Sequence, residues 1–354
     1  MKVEIAVTTA RLRGPFSAAY GDVAERPLLV LALEGEDGVT GFGEAAPLEP
    51  YDGVSIDHVR AALEDCSGLL ASSDGTPQDE LLAACREVAV LPQALAAIDL
   101  ALWDLEGRRA GSPVWRLLGA SDPPLVEVNA TIGAIDRAGA AGEAGEARAS
   151  GLGCVKVKVG VGDDAGRLAA VRAMGGPELA IRIDANGNWS AEEAIAALTA
   201  LAAVGLELCE EPASGIEEIG RVAAASDVAI AIDETAAAPG ALDRRWCEAV
   251  CLKIARCGGI SGLLEQAARA RRAGYDVYLA STFDGPLGIA AALHAAAVLE
   301  PRRACGLATL SLFESRRRST NGRDHPLPVR NGRIAVPRGP GLGDGLAEWY
   351  RDEG

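Results

Sequence analysis

Hydrophobic and polar residues alternate from Lys2 to Ala10, the period-two pattern of a strand with one buried face, and Leu28 to Leu33 is an apolar run that reads as a second strand. A glycine-rich turn is expected near Gly41 to Gly43. Leu95, Ile98, Leu102 and Leu105 recur at helical spacing within Leu91 to Leu118, and Gly111, Ser112 and Pro113 interrupt that helix before Trp115 to Leu118 resume. This mixture predicts an α+β unit over residues 1–122. The Pro123-Pro124 pair supplies a boundary, after which short apolar strands are separated by alanine-rich helices. Eight segments fit a strand: Val126 to Ile132, Cys154 to Gly160, Leu179 to Asp184, Leu206 to Glu210, Val228 to Asp233, Ala249 to Ile254, Tyr275 to Ser281 and Ala304 to Leu307. Strands alternating with helices imply right-handed crossovers between parallel neighbours, and eight of them close into a (β/α)8-type barrel. The predicted fold class is α/β, a modified TIM barrel over residues 123–319 with an N-terminal α+β cap. The segment 320–354, rich in Arg, Gly and Pro, is expected to leave the barrel and pack back on the cap.

The chain of 354 residues is longer than a single core ordinarily holds, which agrees with a barrel plus a smaller unit. Its longest apolar run, Gly288 to Leu299, is well short of the roughly 20 residues that a bilayer span needs. Met1 to Arg13 reads as a strand, with no basic region leading into an apolar one, so a cytoplasmic location is expected. A formal charge of −16 repels phosphate backbones and anionic lipid, which argues against nucleic acid and membrane partners. The eight cysteines are scattered without a CxxC pair and read as buried thiols. His58, His294 and His325 fall outside every motif, and His294, in an alanine-rich helix, reads as a packing residue.

The lysine count changes the picture. Of 34 basic residues only Lys2, Lys156, Lys158 and Lys253 are lysines, so three of the four stand in strand-like segments of a chain that otherwise uses arginine. A shielded ammonium can lose its proton and act as a base, whereas a guanidinium stays charged. In Cys154-Val155-Lys156-Val157-Lys158-Val159, alternation puts both lysines on one strand face, inward in a barrel. Their mutual repulsion is expected to lower the pKa of at least one. The next three strands each end in a carboxylate, Asp184, Glu210 and Asp233, about one βα unit apart. In uniform register these three sit side by side at the carboxyl ends of adjacent strands, where barrel active sites form. Three oxygen ligands without a neighbouring His or Cys pair suit Mg²⁺, with Mn²⁺ as an alternative, better than zinc. Lys253 ends the sixth strand, opposite the second, so a carboxylate held by the cation exposes its α-carbon to amines on both sides. That arrangement supports proton abstraction next to a carboxylate through an enediolate.

The ordered motifs Gly43-Glu44-Ala45-Ala46-Pro47, Ala97-Ile98-Asp99 through Trp103-Asp104, Lys156-x-Lys158, Asp184-Ala185-Asn186, Glu210-Glu211-Pro212, Asp233-Glu234, and Lys253 with Gly258-Gly259 run nearly the whole length of the chain. In them the chain resembles the muconate-cycloisomerase branch of the enolase superfamily. The resemblance implies Asp184, Glu210 and Asp233 as metal ligands, Lys158 and Lys253 as the acid/base pair, and Lys156 as an electrostatic helper. It implies that Glu211 is not a ligand, and that cap loops at Gly14 to Gly21 and Pro47 to Ser55 close over a small carboxylate substrate. Asn186, Arg256, Ser281, Thr282 and Asp284 are the candidate substrate-binding residues. Within the branch, Cys305 to Thr309 and the run Lys253 to Gly259 look most like o-succinylbenzoate synthases, which perform a syn dehydration in menaquinone biosynthesis. The rivals are N-succinylamino acid racemase, dipeptide epimerase and muconate-type cycloisomerase. Outside catalysis, the alternative is a metal-stabilised binding protein. Homo-oligomerisation stays open.

Overall fold

The computed structural model describes residues 1–122, 125–314 and 326–351. The expected boundary at Pro123-Pro124, the start of the tail at Thr320, and His325 lie outside the described residues.

Strands β1 (Lys2–Ala18), β2 (Gly21–Glu34) and β3 (Thr40–Ala45) form an antiparallel meander in that order. Helices α1 (Glu49–Asp52), α2 (Ile56–Ala71), α3 (Gln78–Val88), α4 (Pro92–Arg109) and α5 (Val114–Leu117) follow. The apolar run in β2 has no polar face because both of its faces are covered. Leu29, Leu31 and Leu33 pack into a core with Leu63, Leu70 and Ile98, while Leu28 and Val30 point into the larger core that continues into the barrel. The turn expected at Gly41 to Gly43 is instead part of β3. Those glycines are there because α4 lies directly on the strand: a Cβ at Gly43 would stand 1.9 Å from the Ala97 carbonyl oxygen, and one at Gly41 2.3 Å from that of Ala101. The segment Gly14 to Gly21, expected as a loop, is mostly the end of the β1–β2 hairpin, which turns at Ala19 and Tyr20.

Beyond β4 (Leu125–Glu127) come β5 (Ala130–Ile132), α6 (Arg137–Ala149), β6 (Cys154–Lys158), α7 (Asp164–Gly175), β7 (Ala180–Asp184), α8 (Ala191–Ala200), β8 (Leu206–Glu210), α9 (Ile216–Ala225) and β9 (Ala229–Ile232). Then follow β10 (Ala249–Lys253), α10 (Ile254–Cys257), α11 (Gly259–Ala273), β11 (Asp276–Ala280) and α12 (Pro286–Leu299). Strands β5 to β11 form one parallel sheet in sequence order. The eighth expected strand closes the ring through two single bridges, Cys305 to Val128 and Gly306 to Ala280. The fifth unit departs from strict alternation, because a short 3-10 turn, Glu234–Ala237, stands where a crossover helix was expected. The lower barrel is plugged by Arg182, whose guanidinium donates to Glu207 Oε2 at 2.9 Å and to the Ala304 carbonyl at 2.7 Å and lies over the Tyr278 ring.

The apolar run ending at Leu299 is α12, buried on every side, and no described helix is long and apolar enough to cross a membrane. The described C-terminal residues touch both parts of the molecule. Strand β12 (Arg333–Ala335) pairs antiparallel with β4, and the Leu342 N–H donates to Asp104 Oδ1 at 2.7 Å. Tyr350 donates its hydroxyl to Glu44, whose carboxylate also accepts the Gly285 N–H at 2.8 Å where α12 begins. His294, fully buried, accepts the Trp115 N–H at Nδ1 and donates from Nε2 to the Leu342 carbonyl, both at 3.1 Å. It thereby pins α5 and the C-terminal segment to α12.

Burial lowers the His294 pKa from 6.5 to about 4, against a weaker upward pull from the Leu342 carbonyl. The folded state therefore holds the ring neutral where the unfolded chain would protonate it, and its stabilising contribution is present above pH 6.5 and lost as pH falls toward 4. We expect the unfolding free energy of wild type relative to a His294→Gln variant to shrink by about 3 kcal/mol across that window. Urea titrations at several pH values measure it, and a constant difference would show that the ring is not held neutral.

Candidate active site

The parallel register places Lys158 beside Asp184 and Asp184 beside Glu210 on three neighbouring strands. Asp233 directly follows β9, and Lys253 ends β10. The alternation that sends Val155 and Val157 into the helix-facing core turns Lys156 and Lys158 into the barrel. Lys156 Nζ is 3.0 Å from Asp184 Oδ2 and 2.7 Å from Glu210 Oε1, so one ammonium joins two carboxylates. Lys158 Nζ donates to Asp184 Oδ2 at 2.6 Å and to Asn186 Oδ1 at 2.8 Å. On the Asp233 side, Lys253 Nζ donates to Asp233 Oδ2 and, at 2.7 Å, to the hydroxyl of Tyr51. That hydroxyl donates to Asp233 Oδ2 at 2.9 Å. Tyr278 donates to Glu210 Oε2 at 2.6 Å. All three lysines and all three carboxylates are buried.

These contacts set the charge states. Burial works against the Lys156 ammonium, but Asp184 and Glu210 more than offset it, and its pKa stands well above the ordinary lysine value. Lys253 is raised in the same way, burial being outweighed chiefly by Asp233. The expectation that repulsion lowers a lysine pKa is therefore corrected for Lys156, because the attraction of Asp184 and Glu210 outweighs the repulsion, which comes from Lys253. Burial raises Asp184 and Asp233, yet Lys156 and Lys158 pull the first, and Lys253 the second, below the usual carboxylate range. Glu211 is built for a different task. Its backbone is left-handed, at φ 42°, and its carboxylate accepts the Asp233 N–H at 2.7 Å and the Thr235 N–H at 3.0 Å, holding the turn after β9. Burial beside Glu234 pushes Glu211 up to about 8.

Glu210, Asp233 and Cys251 each offer a ligand atom within 4.8 Å of the others, and Asp184 is tied to Glu210 through Lys156. The three carboxylates supply the hard oxygen donors that a divalent cation such as Mg²⁺ takes, whereas the Cys251 thiol is a soft donor of little use to it. The residues present thus fit such an ion.

The cavity at this end of the barrel is walled by both barrel and cap. Ser281 and Thr282 line it, together with Tyr20, Tyr51, Phe283 and Thr309. The Ser281 and Thr309 hydroxyls are 2.7 Å apart. Asn186, Arg256 and Asp284, expected to bind substrate, stand behind the lining. Asn186 is committed to Lys158 and, at 2.8 Å, to Glu234. Arg256 donates to the Glu234 carbonyl and lies over the Tyr51 ring. Asp284 is buried, with Oδ1 taking the Thr282 hydroxyl at 2.7 Å. Tyr20, Tyr51 and Tyr278 were not singled out by the sequence reading. Tyr278 was in principle legible, two residues before the end of β11 and so facing inward, but no sequence pattern tells a loop tyrosine that reaches across a domain seam from any other.

Residues 1–119 match the N-terminal domain described as "mandelate racemase / muconate lactonizing enzyme", and residues 139–348 match the "enolase C-terminal domain-like" family. Muconate cycloisomerase 1 of Rhodococcus opacus is 30% identical over 99% of this chain and 98% of its own. The o-succinylbenzoate synthase of Mycobacterium bovis is 42% identical over 54% of this chain and 61% of its own. Among solved structures, a dipeptide epimerase from Enterococcus faecalis V583, complexed with Mg and the dipeptide L-Leu-L-Tyr, superposes with a TM-score of 0.87 at 25% identity, covering 97% of this chain and 98% of that one.

Removing Lys156 should expose how much the buried carboxylates depend on it. A Lys156→Met variant is expected to lose about 3–5 kcal/mol of stability, since it leaves Glu210 buried without its ion partner. Adding Glu210→Gln should restore part of the loss in chemical denaturation. A double variant no more stable than Lys156→Met would count against this pairing.

Proposed function

The chain belongs to the mandelate racemase/muconate lactonizing enzyme family of the enolase superfamily, and from that membership we propose that it is a Mg²⁺-dependent dehydratase forming o-succinylbenzoate. The general reaction of the family, removal of a proton next to a carboxylate, needs a base beside a charge-neutralising centre, and Lys158 next to Asp184 has that placement. When bound by Asp184, Glu210 and Asp233, Mg²⁺ would hold the substrate carboxylate, offset the charge that develops on it, and compete with the lysines for the three acids. Lys158 takes the α-proton as the C–H bond breaks. The electron pair forms a C=C bond, the C–O bond to the hydroxyl on the same face breaks, and Lys158 returns its proton so that water leaves. Lys253, kept charged by Asp233, faces the developing negative charge from the other side.

The observation that carries the choice of substrate is the cavity wall away from the metal ligands. It presents aromatic rings and hydroxyls, and neither Ser281 to Phe283 nor Gly306 to Thr309 contains a carboxylate. Asp284, the acid that follows Phe283, takes the Thr282 hydroxyl on Oδ1; its Oδ2 has no hydrogen-bond partner among the described residues, but the residue stands behind Thr282 and outside the lining. A dipeptide ammonium would therefore be buried there without an ion partner, which is strongly unfavourable. A dicarboxylate has no ammonium and so needs no acid in that wall, and its second carboxylate calls instead for donors such as hydroxyls. The 42% identity to the Mycobacterium bovis synthase supports the same reading. Racemisation of N-succinylamino acids is the second reading, favoured by the presence of Lys158 and Lys253 at separate carboxylates of one site, as a two-base exchange needs.

Purified protein given Mg²⁺ and the hydroxylated succinyl-cyclohexadiene carboxylate should release o-succinylbenzoate, detectable by its aromatic absorbance, and chelation should stop it. Lys158→Ala should lower kcat by about 100-fold or more. If N-succinylamino acids or dipeptides are turned over efficiently while the cyclohexadiene is not, the dehydratase assignment fails.

A further inference from the structure

The two lysines of the proposed acid/base pair are held in place by different parts of the molecule. Lys158 has barrel partners, Asp184 and Asn186, both from the end of β7. The cap approaches it through the Tyr20 ring, whose centroid is 5.6 Å from Nζ. Lys253 has one barrel partner and one cap partner. Its Nζ donates to Asp233 and to the Tyr51 hydroxyl, and that hydroxyl donates in turn to the same Asp233 oxygen, which closes a ring of three hydrogen bonds. The face of the Tyr51 ring also carries the ammonium, 4.5 Å from its centroid, and the Arg256 guanidinium at 5.2 Å.

Tyr51 is itself fixed from the cap side. It lies in α1, whose last residue, Asp52, accepts the Leu48 N–H at 3.2 Å and the Gln93 amide at 2.8 Å. Arg26, almost fully buried, donates to the Pro47 carbonyl at 2.5 Å and the Ala46 carbonyl at 3.1 Å, just before that helix. Tyr20 packs edge-on against Tyr51 at 5.5 Å. A lysine side chain has four flexible carbons and needs external contacts to hold its nitrogen at one point. A phenol meets that need without adding a second negative charge, because it accepts from the ammonium and donates its own O–H to Asp233.

We infer that Tyr51 is a positioning residue for Lys253, so that a hydrogen bond from the cap sets the reach of one lysine while the hydrogen bonds that hold the other come from the barrel. The inference rests on the second reading above, proton exchange at both Lys158 and Lys253. Chemistry on the Lys253 face then requires α1 to be docked, and chemistry on the Lys158 face does not require the Tyr51 hydroxyl.

The test uses Tyr51→Phe, which keeps the ring and removes the hydroxyl. The probes are N-succinyl-L-phenylalanine and N-succinyl-D-phenylalanine, followed by α-proton exchange with deuterated solvent in the presence of Mg²⁺. Lys253→Ala identifies which enantiomer presents its proton to Lys253. For that enantiomer Tyr51→Phe should lower kcat by about tenfold or more with KM changed less than about twofold, and exchange of the other should stay within about twofold. A cap that was merely loosened would slow both enantiomers alike, so equal losses, or no loss on the Lys253 face, overturn the inference. If the wild-type protein exchanges neither enantiomer, the two-base reading is what fails. The positioning contact is then read from a double-mutant cycle of Tyr51→Phe and Lys253→Met in chemical unfolding. Coupled losses are expected there, and additive losses overturn the inference.

Discussion

Three carboxylates and three ammonium groups share the capped end of one barrel, and none of them would be tolerable there alone. Moving a single ion of either sign into such an interior costs several kcal/mol even after the surroundings relax. Asp184, Glu210 and Asp233 therefore need Lys156, Lys158 and Lys253, and the lysines need the acids, with Tyr278 on the Glu210 oxygen that Lys156 leaves over and Tyr51 sharing the Asp233 oxygen with Lys253. The register of β6, β7 and β8 follows from this requirement as much as from hydrophobic alternation, because a slip of one residue would send each charged side chain into the valine- and isoleucine-lined layer under the helices. The left-handed backbone at Glu211 belongs to the same constraint. It lets two successive glutamates take opposite directions, one into the charged cluster and the other under the next turn.

How much of this was readable in advance depended on whether a residue's position is fixed by its own strand. Lys156, Lys158 and Lys253 stood out because the chain is otherwise so poor in lysine, and strand periodicity aimed the first two inward. The acids at the ends of β7 and β8 and just after β9 were legible because a parallel barrel puts consecutive strand ends side by side. Gly41 and Gly43 were misread as a turn because their reason lies in another element: the α4 backbone presses on them, and nothing local distinguishes that from a bend. The missing helix after β9 had the same cause, since the turn there is held by Glu211 from the preceding strand. Arg256 and Asp284 were placed near the right strand ends, but the side chains point behind the wall toward Tyr51 and Thr282. Tyr51 of the cap was invisible for the complementary reason: its hydrogen-bond partners lie 182 and 202 residues away.

The cap and barrel meet as one continuous packed body. Strand β2 is buried on both faces, one belonging to the cap's own core and the other to the core of the barrel. The tyrosine-lined cavity lies along that seam, so its walls are as ordered as the interior from which they extend.

Glu44 receives the Tyr350 hydroxyl across 306 positions of sequence, and Asp104 receives the Leu342 N–H across 238. As the polypeptide emerges from the ribosome, the N-terminal unit can assemble its meander and helices long before these donors exist. Until then Asp104 lacks one of its hydrogen bonds and Glu44 keeps only the amides at the start of α12, which themselves come late. The mouth of the barrel is thus fastened only once residues 342 and 350 have emerged, and nascent chains halted short of residue 340 would carry a cap without this clasp.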